Sequence, residues 1–332
     1  MKRVALLLLA LALISRWCLS GATPEAKTIA TRAVDTHASD ECPHCRALAG
    51  QGWASDGERL TADGAAAAPA AGSVDDNQLM KQLTEAGTAI IDGGKFVEGE
   101  LLIKQLENAK CELKLPAADP QAPPPTDVYS HAKDGVVIVC GLFKCMRCDQ
   151  WHASPASGFV ISADGVIVTS HHVINEKEKK TFVIMTSAGK VYPVSRVLAG
   201  NKANDIAVLQ VDGAEGLKPL PLGPAPTIGT QVAVLSHPAS HFYSYSTGIV
   251  SRYTKVRNAG ELVDALQITA DYARGSSGGP VLDAHGRVVG IVRSTESIYY
   301  SQENGNQKNL QMVFKLCVPA DSLVRLVKEE AK

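Results

Sequence analysis

The sequence predicts an all-β domain preceded by a short helical segment, and three observations predict it. From Asp127 onward, β-branched and apolar runs recur at short intervals: Val136–Val139, Gly158–Ile161, Val166–Thr169, Phe182–Met185, Ile206–Val211, Gln231–Leu235, Gly248–Ser251, Leu266–Thr269, Val281–Leu282, Val288–Val292 and Met312–Phe314. Gly, Pro, Asn or Asp fill many of the gaps, the punctuation of a sandwich or barrel. Helical spacing of apolar residues is confined to residues 76–115 and to the last stretch, Ala320–Lys328.

The elements follow in order. Met1-Lys2-Arg3 and the apolar run Val4–Ile14 are too short to span a bilayer comfortably and suit a signal peptide over residues 1–22, with Ser20-Gly21-Ala22 as a small-x-small cleavage site. The mature chain is then expected to be secreted or periplasmic, without a stable membrane span, where oxidising conditions favour disulfides. Residues 23–75 are rich in Ala, Gly, Thr and Asp and read as a disordered, low-complexity region. Leu79, Met80 and Leu83 repeat at helical spacing. Asp92-Gly93-Gly94 breaks the pattern, and Phe96, Leu101, Leu102 and Leu106 resume it. Residues 76–115 are therefore a helical hairpin whose apolar stripes are expected to pack on one another. Residues 116–126 hold five prolines and form a stiff linker. Residues 127–332 are the β domain, closed by an amphipathic helix carrying Leu323, Val324, Leu326 and Val327.

The 332 residues carry 33 Lys and Arg against 34 Asp and Glu, a formal net charge of −1. This balance gives no basic footprint for a nucleic-acid partner.

The chemistry concentrates in three places. Gly275-Ser276-Ser277-Gly278-Gly279-Pro280 places a serine among glycines, where the backbone can turn sharply and aim N–H groups at a developing oxyanion. Thr169-Ser170-His171-His172-Val173 ends an apolar run in two histidines, read as the end of a buried strand. Asn204-Asp205-Ile206 sets an aspartate before another buried strand, where it can be desolvated and orient an imidazole. Each alone has a bland reading as a turn or a surface residue. Together, in the order His, Asp, Ser, they form a candidate nucleophile, base and orienting acid.

These motifs resemble the three signatures of trypsin-like serine proteases, most closely the bacterial HtrA/Deg branch, over roughly residues 127–327. Gly286-Arg287-Val288-Val289-Gly290-Ile291-Val292 and Val318-Pro319-Ala320-Asp321 belong to the same resemblance. It implies two six-stranded antiparallel β-barrels and an exported serine endopeptidase acting through an acyl-enzyme, with no required cofactor. Its partners would be protein or peptide substrates, with a trimer as the family's usual assembly and no PDZ domain in this sequence. The implied catalytic residues are His172, on which the family's Thr-x-x-His-Val spacing falls, with Asp205 and Ser277. The backbone N–H groups of Gly275 and Ser277 would form the oxyanion hole. Val292, Arg293 and Ser294 would pair with extended substrate by β-augmentation.

Two features depart from the family. Ser276 stands where the HtrA branch usually has asparagine and animal trypsins have aspartate, and the histidine is doubled. Asp271, six residues before Ser277, is either an S1 acid selecting Lys or Arg or a structural carboxylate, since Tyr272-Ala273-Arg274 does not follow trypsin. The HtrA branch implies a small apolar P1 residue instead. A catalytically silent, chaperone-like binding module on the same scaffold is the alternative.

Eight cysteines are present, and Cys18 falls in the signal segment. Cys42-Pro43-His44-Cys45 and Cys145-Met146-Arg147-Cys148 are CxxC pairs, and Cys111, Cys140 and Cys317 remain. No βαβ pattern surrounds Cys42 and Cys45, which argues against a thioredoxin-like redox role. The Cys145/Cys148 loop is expected to be tied structurally. A disulfide and a structural zinc site both stay open, the latter with Cys42, Cys45, Cys145, Cys148 and His152 as candidate ligands.

Overall fold

A computed structural model of the chain describes residues 73–327 apart from 117, 118, 120, 121, 304 and 305. The expected signal segment, nearly all of the low-complexity region, and Cys42 and Cys45 lie outside the described residues.

Twelve strands build the β domain. In the first barrel they are β1 (Val136–Lys144), β2 (Trp151–Ser162), β3 (Val166–Thr169), β4 (Thr181–Met185), β5 (Val191–Asn201) and β6 (Ile206–Val211). The second barrel has β7 (Gln231–Ser236), β8 (Ser244–Asn258), β9 (Glu261–Ile268), β10 (Pro280–Leu282), β11 (Val288–Glu303) and β12 (Asn306–Pro319). The sheets close in the orders β1-β2-β3-β6-β5-β4 and β10-β11-β12-β9-β8-β7. Every neighbouring pair is antiparallel, so the expected pair of six-stranded antiparallel barrels is what the chain forms.

Closure removes exposed sheet edges and lets the β-branched runs fill two interiors. Ile138, Phe159, Val168, Met185 and Val208 of the first barrel pack in one continuous apolar cluster with Leu235, Leu282, Val288 and Ile291 of the second. The two barrels therefore share a core, which fixes the loops that meet between them.

One strand escaped the sequence pattern. Strand β5 reads Val-Tyr-Pro-Val-Ser-Arg-Val-Leu-Ala-Gly-Asn, with Pro and Arg interrupting the apolar residues. Its pairing with β6 shifts register twice, at Val194/Arg196 and Val197/Ala199. Such bulges break the period-two alternation by which strands are recognised. Strands β8, β11 and β12 also run well past their apolar stretches, and their outer parts are exposed two-stranded ribbons.

The helices depart from expectation in their packing. Helix α1 (Asp76–Asp92) is capped by the Asp75 carboxylate, which accepts from Gln78 N–H at 2.9 Å. Helix α2 (Gly99–Gln105) follows the Gly93-Gly94 break. Their buried residues face the first barrel rather than one another. Leu83 joins the cluster around Leu142, and Leu102 and Leu106 join Val137, Val160 and Ile184. Polar contacts pin the same faces: Gln82 Nε2 donates to Gly189 O at 3.0 Å, and Val197 N–H donates to Gln105 Oε1 at 2.7 Å. Two helices this short bury more apolar area on a barrel wall than on each other.

Helix α3 (Val128–Ala132) leads into β1. A single turn, α4 (His171–Ile174), follows β3, and α5 (Ala320–Leu326) ends the described chain, with Leu323 and Leu326 buried.

Candidate active site

Strand β3 ends at Thr169, so the two histidines sit on the α4 turn rather than on a strand end. That turn divides them. His171 is buried, and desolvation, outweighing the nearby Asp205 charge, lowers its pKa. His172 has a half-exposed side chain that faces a depression of about 440 Å³ between the barrels. His171, His172, Asp205, Arg293 and Ser294 are among its lining residues.

Asp205 is held at the start of β6 by an unusual backbone. Its φ is +57°, a left-handed conformation that few residues other than Gly, Asn and Asp adopt readily. The preceding turn is tied by Asn204 N–H donating to Asn201 Oδ1 at 2.8 Å. The carboxylate is nearly buried and both oxygens are used on one partner. Oδ1 accepts the His172 backbone N–H at 2.9 Å, and Oδ2 lies 2.7 Å from His172 Nδ1. The Asp205 carbonyl takes His171 N–H at 3.1 Å. This grip places the proton on Nδ1 and leaves the lone pair on Nε2. Desolvation pulls the imidazole pKa down. The hydrogen bond and charge of Asp205, with Glu176 further off, outweigh it and raise the value above the ordinary imidazole range.

The serine loop comes from the second barrel, and its peptide units are fixed one by one. Arg274 C=O accepts from Ala239 N–H at 2.6 Å, and Gly275 C=O accepts from Ser157 Oγ at 2.9 Å. Ser276 C=O accepts from Gly279 N–H at 2.9 Å. In a trans peptide the carbonyl and the following N–H point in opposite directions. The N–H groups of Gly275 and Ser277 are thus turned away from these anchors, and among the described residues neither donates to an acceptor.

Gly275 has φ +95°, and a Cβ there would lie 2.5 Å from the His237 carbonyl. Gly278 has φ +83°, and a Cβ there would collide with the Thr169 hydroxyl and the Ser157 carbonyl. No other residue fits either position without rearrangement.

Ser276, the departure from the family pattern, is fully buried. Its hydroxyl accepts from Ser236 Oγ at 3.0 Å, which anchors the loop to β7. A hydroxyl pair here does the tethering that a longer side chain would otherwise do.

Ser157 on β2 joins the two barrels at this point, and nothing local in the sequence marks it. Its N–H donates to Ser277 O at 3.0 Å and its hydroxyl accepts His237 N–H at 3.0 Å. Its carbonyl accepts from Thr169 Oγ1 at 2.7 Å. Gly278 therefore lies against Thr169 and Ser170, immediately before the histidine turn. The structure brings His172, Asp205 and the Ser277 loop to one place. No hydrogen bond joins Ser277 Oγ to His172 among the described residues; in substrate-free sites of this kind such bonds commonly tighten only on binding.

Val292 is locked into this loop. Its N–H donates to Gly279 O at 2.8 Å, and its carbonyl accepts from Gly278 N–H at 2.9 Å and Ser170 Oγ at 3.3 Å. The register with β12 shifts between Val292 and Ser294, so Arg293 is bulged out of the ladder.

Asp271 is placed elsewhere. Its carboxylate is 89% exposed and lies 3.4 Å from Lys315 Nζ. That is a neutralised surface carboxylate, not the buried, unpaired charge that an S1 acid must offer. Beside it the ring of Tyr272 is buried, and its hydroxyl bonds to Ser294 O at 2.9 Å and Leu316 O at 2.8 Å, bridging β11 and β12. Burial raises the pKa of this phenol, keeping it neutral.

The cysteines separate into two kinds. Cys140 and Cys317 are core residues whose thiols are pushed by burial up to about 12, and Cys111 rises to about 11. Cys145, Cys148 and His152 instead converge at the β1–β2 hairpin, with their ligand atoms within 4.8 Å of one another.

The β domain is similar to known proteins. Residues 156–291 match the family described as Trypsin-like peptidase domain. The Probable periplasmic serine endoprotease DegP-like of Halomonas elongata is 33% identical over 140 residues, 42% of this chain and 29% of that protein. The Putative protease Do-like 3, mitochondrial, of Arabidopsis thaliana is 31% identical over 170 residues, 49% of this chain and 29% of that protein. Serine protease PepD of Mycobacterium tuberculosis is 29% identical over 190 residues, 52% of this chain and 40% of that protein. The chain thus spans well under half the length of these relatives. A solved structure, an inactive form of Rv3671c from M. tuberculosis H37Rv, aligns at 20% identity and TM-score 0.44 over 64% of this chain and 95% of that one. With its two closed barrels and a family match over residues 156–291, this β domain is similar to the trypsin-like peptidase domains of the HtrA/Deg branch.

Proposed function

We propose that the chain is a serine endopeptidase in which Ser277, His172 and Asp205 act as one catalytic unit. The observation that carries this reading is the double grip of Asp205 on His172, at 2.7 and 2.9 Å, on a half-exposed imidazole beside the Ser277 loop. His172 Nε2 takes the Ser277 proton as the hydroxyl attacks the peptide carbonyl, and returns it to the leaving amine. Asp205 holds the tautomer and stabilises the imidazolium. The Gly275 and Ser277 N–H groups receive the oxyanion, and losing one such donor typically costs roughly 10²–10³ in rate. The carbonyl anchors of residues 274–276 support a loop that rests with these donors available, before any substrate arrives.

Arg293 and Ser294 offer the main chain with which an extended substrate pairs, whereas the N–H and carbonyl of Val292, expected to join them, are taken by Gly279 and Gly278. Asp271, neutralised at the surface, gives no reason to favour Lys or Arg at P1. The similarity to the HtrA/Deg branch favours a small apolar residue there. The relatives named periplasmic, together with the charged start and apolar run at the N-terminus, support export. Among the described residues no helix is long and apolar enough to cross a membrane.

The test is cleavage of a peptide panel that differs only at P1. Turnover after Val or Ala, with little after Arg, and its loss in Ser277→Ala are expected. Equal cleavage after Arg and Val would refute the P1 assignment. Undiminished turnover in Ser277→Ala would refute the mechanism.

A further inference from the structure

The proteolytic reading leaves one cluster of reactive side chains unused, at the turn between β1 and β2. Cys145 N–H donates to Gln150 O at 2.9 Å, and Asp149 N–H donates to Cys145 O at 3.0 Å. Asp149 takes φ +53° to complete the turn. This winding puts the two thiols of Cys145-Met146-Arg147-Cys148 on one side. The ladder then resumes with Lys144 opposite Trp151 and Phe143 opposite His152. His152 is only 5% exposed, and its ring stacks on Phe143 with centroids 5.7 Å apart. That stacking aims Nε2 back at the turn, 3.0 Å from Cys148 Sγ.

We propose that Cys145, Cys148 and His152 hold one zinc ion, with water in the fourth position. Two thiolates and an imidazole are the donors that a borderline-soft ion prefers over hard cations such as calcium or magnesium. Zinc bonded to sulfur at about 2.3 Å and to nitrogen at about 2.0–2.1 Å separates its tetrahedral ligand atoms by roughly 3.5–4 Å. The three ligand atoms here lie within 4.8 Å, so the site needs only small side-chain adjustments to close. The two sulfurs occupy a β-turn, not the N-terminal turn of a helix, where a redox CxxC gains its thiolate character.

The ion would clip the end of β2, the strand that carries Ser157 five residues further on. The site thus stabilises the hairpin from which the serine loop is held. On this reading zinc takes no part in peptide hydrolysis.

The test uses the full chain carrying Ser277→Ala, purified without chelators, so that its outcome does not depend on proteolysis. One zinc per chain is expected by elemental analysis. Cobalt exchange should give visible bands of a tetrahedral ion with thiolate-to-cobalt charge transfer in the near ultraviolet. Cys148→Ser and His152→Ala should each weaken binding by more than the roughly 10–100-fold lost when only an outer partner of a ligand is removed. Cys111→Ser, outside the cluster, should keep the cobalt spectrum. Zinc-free protein whose reduced form gives no cobalt spectrum would overturn the assignment. So would an intact mass and peptide map showing a Cys145–Cys148 disulfide in the purified chain.

Discussion

Catalysis, on this account, depends on which residue holds which proton. His172 has to be neutral to accept from Ser277, and Asp205 raises its pKa. Activity should therefore fall as pH drops through a midpoint above the ordinary imidazole value of about 6.5. Removing the charge removes most of what raises the value. In Asp205→Asn the acid limb of kcat/KM should move to lower pH, while the rate at its plateau drops by about 10⁴, as in a related triad enzyme. A pH profile with an unmoved acid limb would show that Asp205 does not set the His172 pKa. Linkage works in the opposite sense for the fold. A raised folded pKa adds stability fully present below the unfolded value, and that stability is lost as pH rises through the folded one.

The residue scale also shows what the sequence made legible. Ser277, His172 and Asp205 each sit in a short local motif, so the catalytic unit proposed here can be read from residue types and spacing alone. Ser157, Ser236 and Tyr272 were not found, because their work is done across the fold. Ser157 reaches Gly275 118 positions away, and Tyr272 bonds to Leu316 44 positions away. Asp271 was legible as an acid but not as a partner of Lys315, which comes from another strand.

At the scale of elements, the barrel strands were largely visible as β-branched runs, whereas β5 was hidden by Pro193, Arg196 and two register shifts. The helices were visible as helices, but their partner was not, since an apolar stripe does not say what it faces. Helix α2 packs Leu102 into the wall of the first barrel, with no exposed surface. Leu102→Ala should destabilise the domain by about 2–5 kcal/mol, read as a fall in Tm of several degrees for a domain of this size. An unchanged Tm would mean that the helical segment is not part of the same cooperative unit. Helix α1 reaches further. Phe242 N–H donates to Asp76 Oδ1 at 2.8 Å. Phe242 lies on the loop whose His237 and Ala239 back the serine loop. The added helices thus brace the first barrel and touch the support of the site.

Across the whole molecule, the two barrels share one apolar cluster, and each supplies half of the site. The first contributes His172 and Asp205, and the second contributes the Ser277 loop and the Val292–Ser294 segment. The central claim is that this junction makes Ser277 a nucleophile. The most direct measurement is labelling with a fluorophosphonate, followed by peptide mapping of the adduct. One phosphonyl group per chain is expected, on Ser277, lost in both Ser277→Ala and His172→Ala. An adduct on any other residue, or none on folded wild-type protein, would contradict it and leave the double barrel as a binding scaffold.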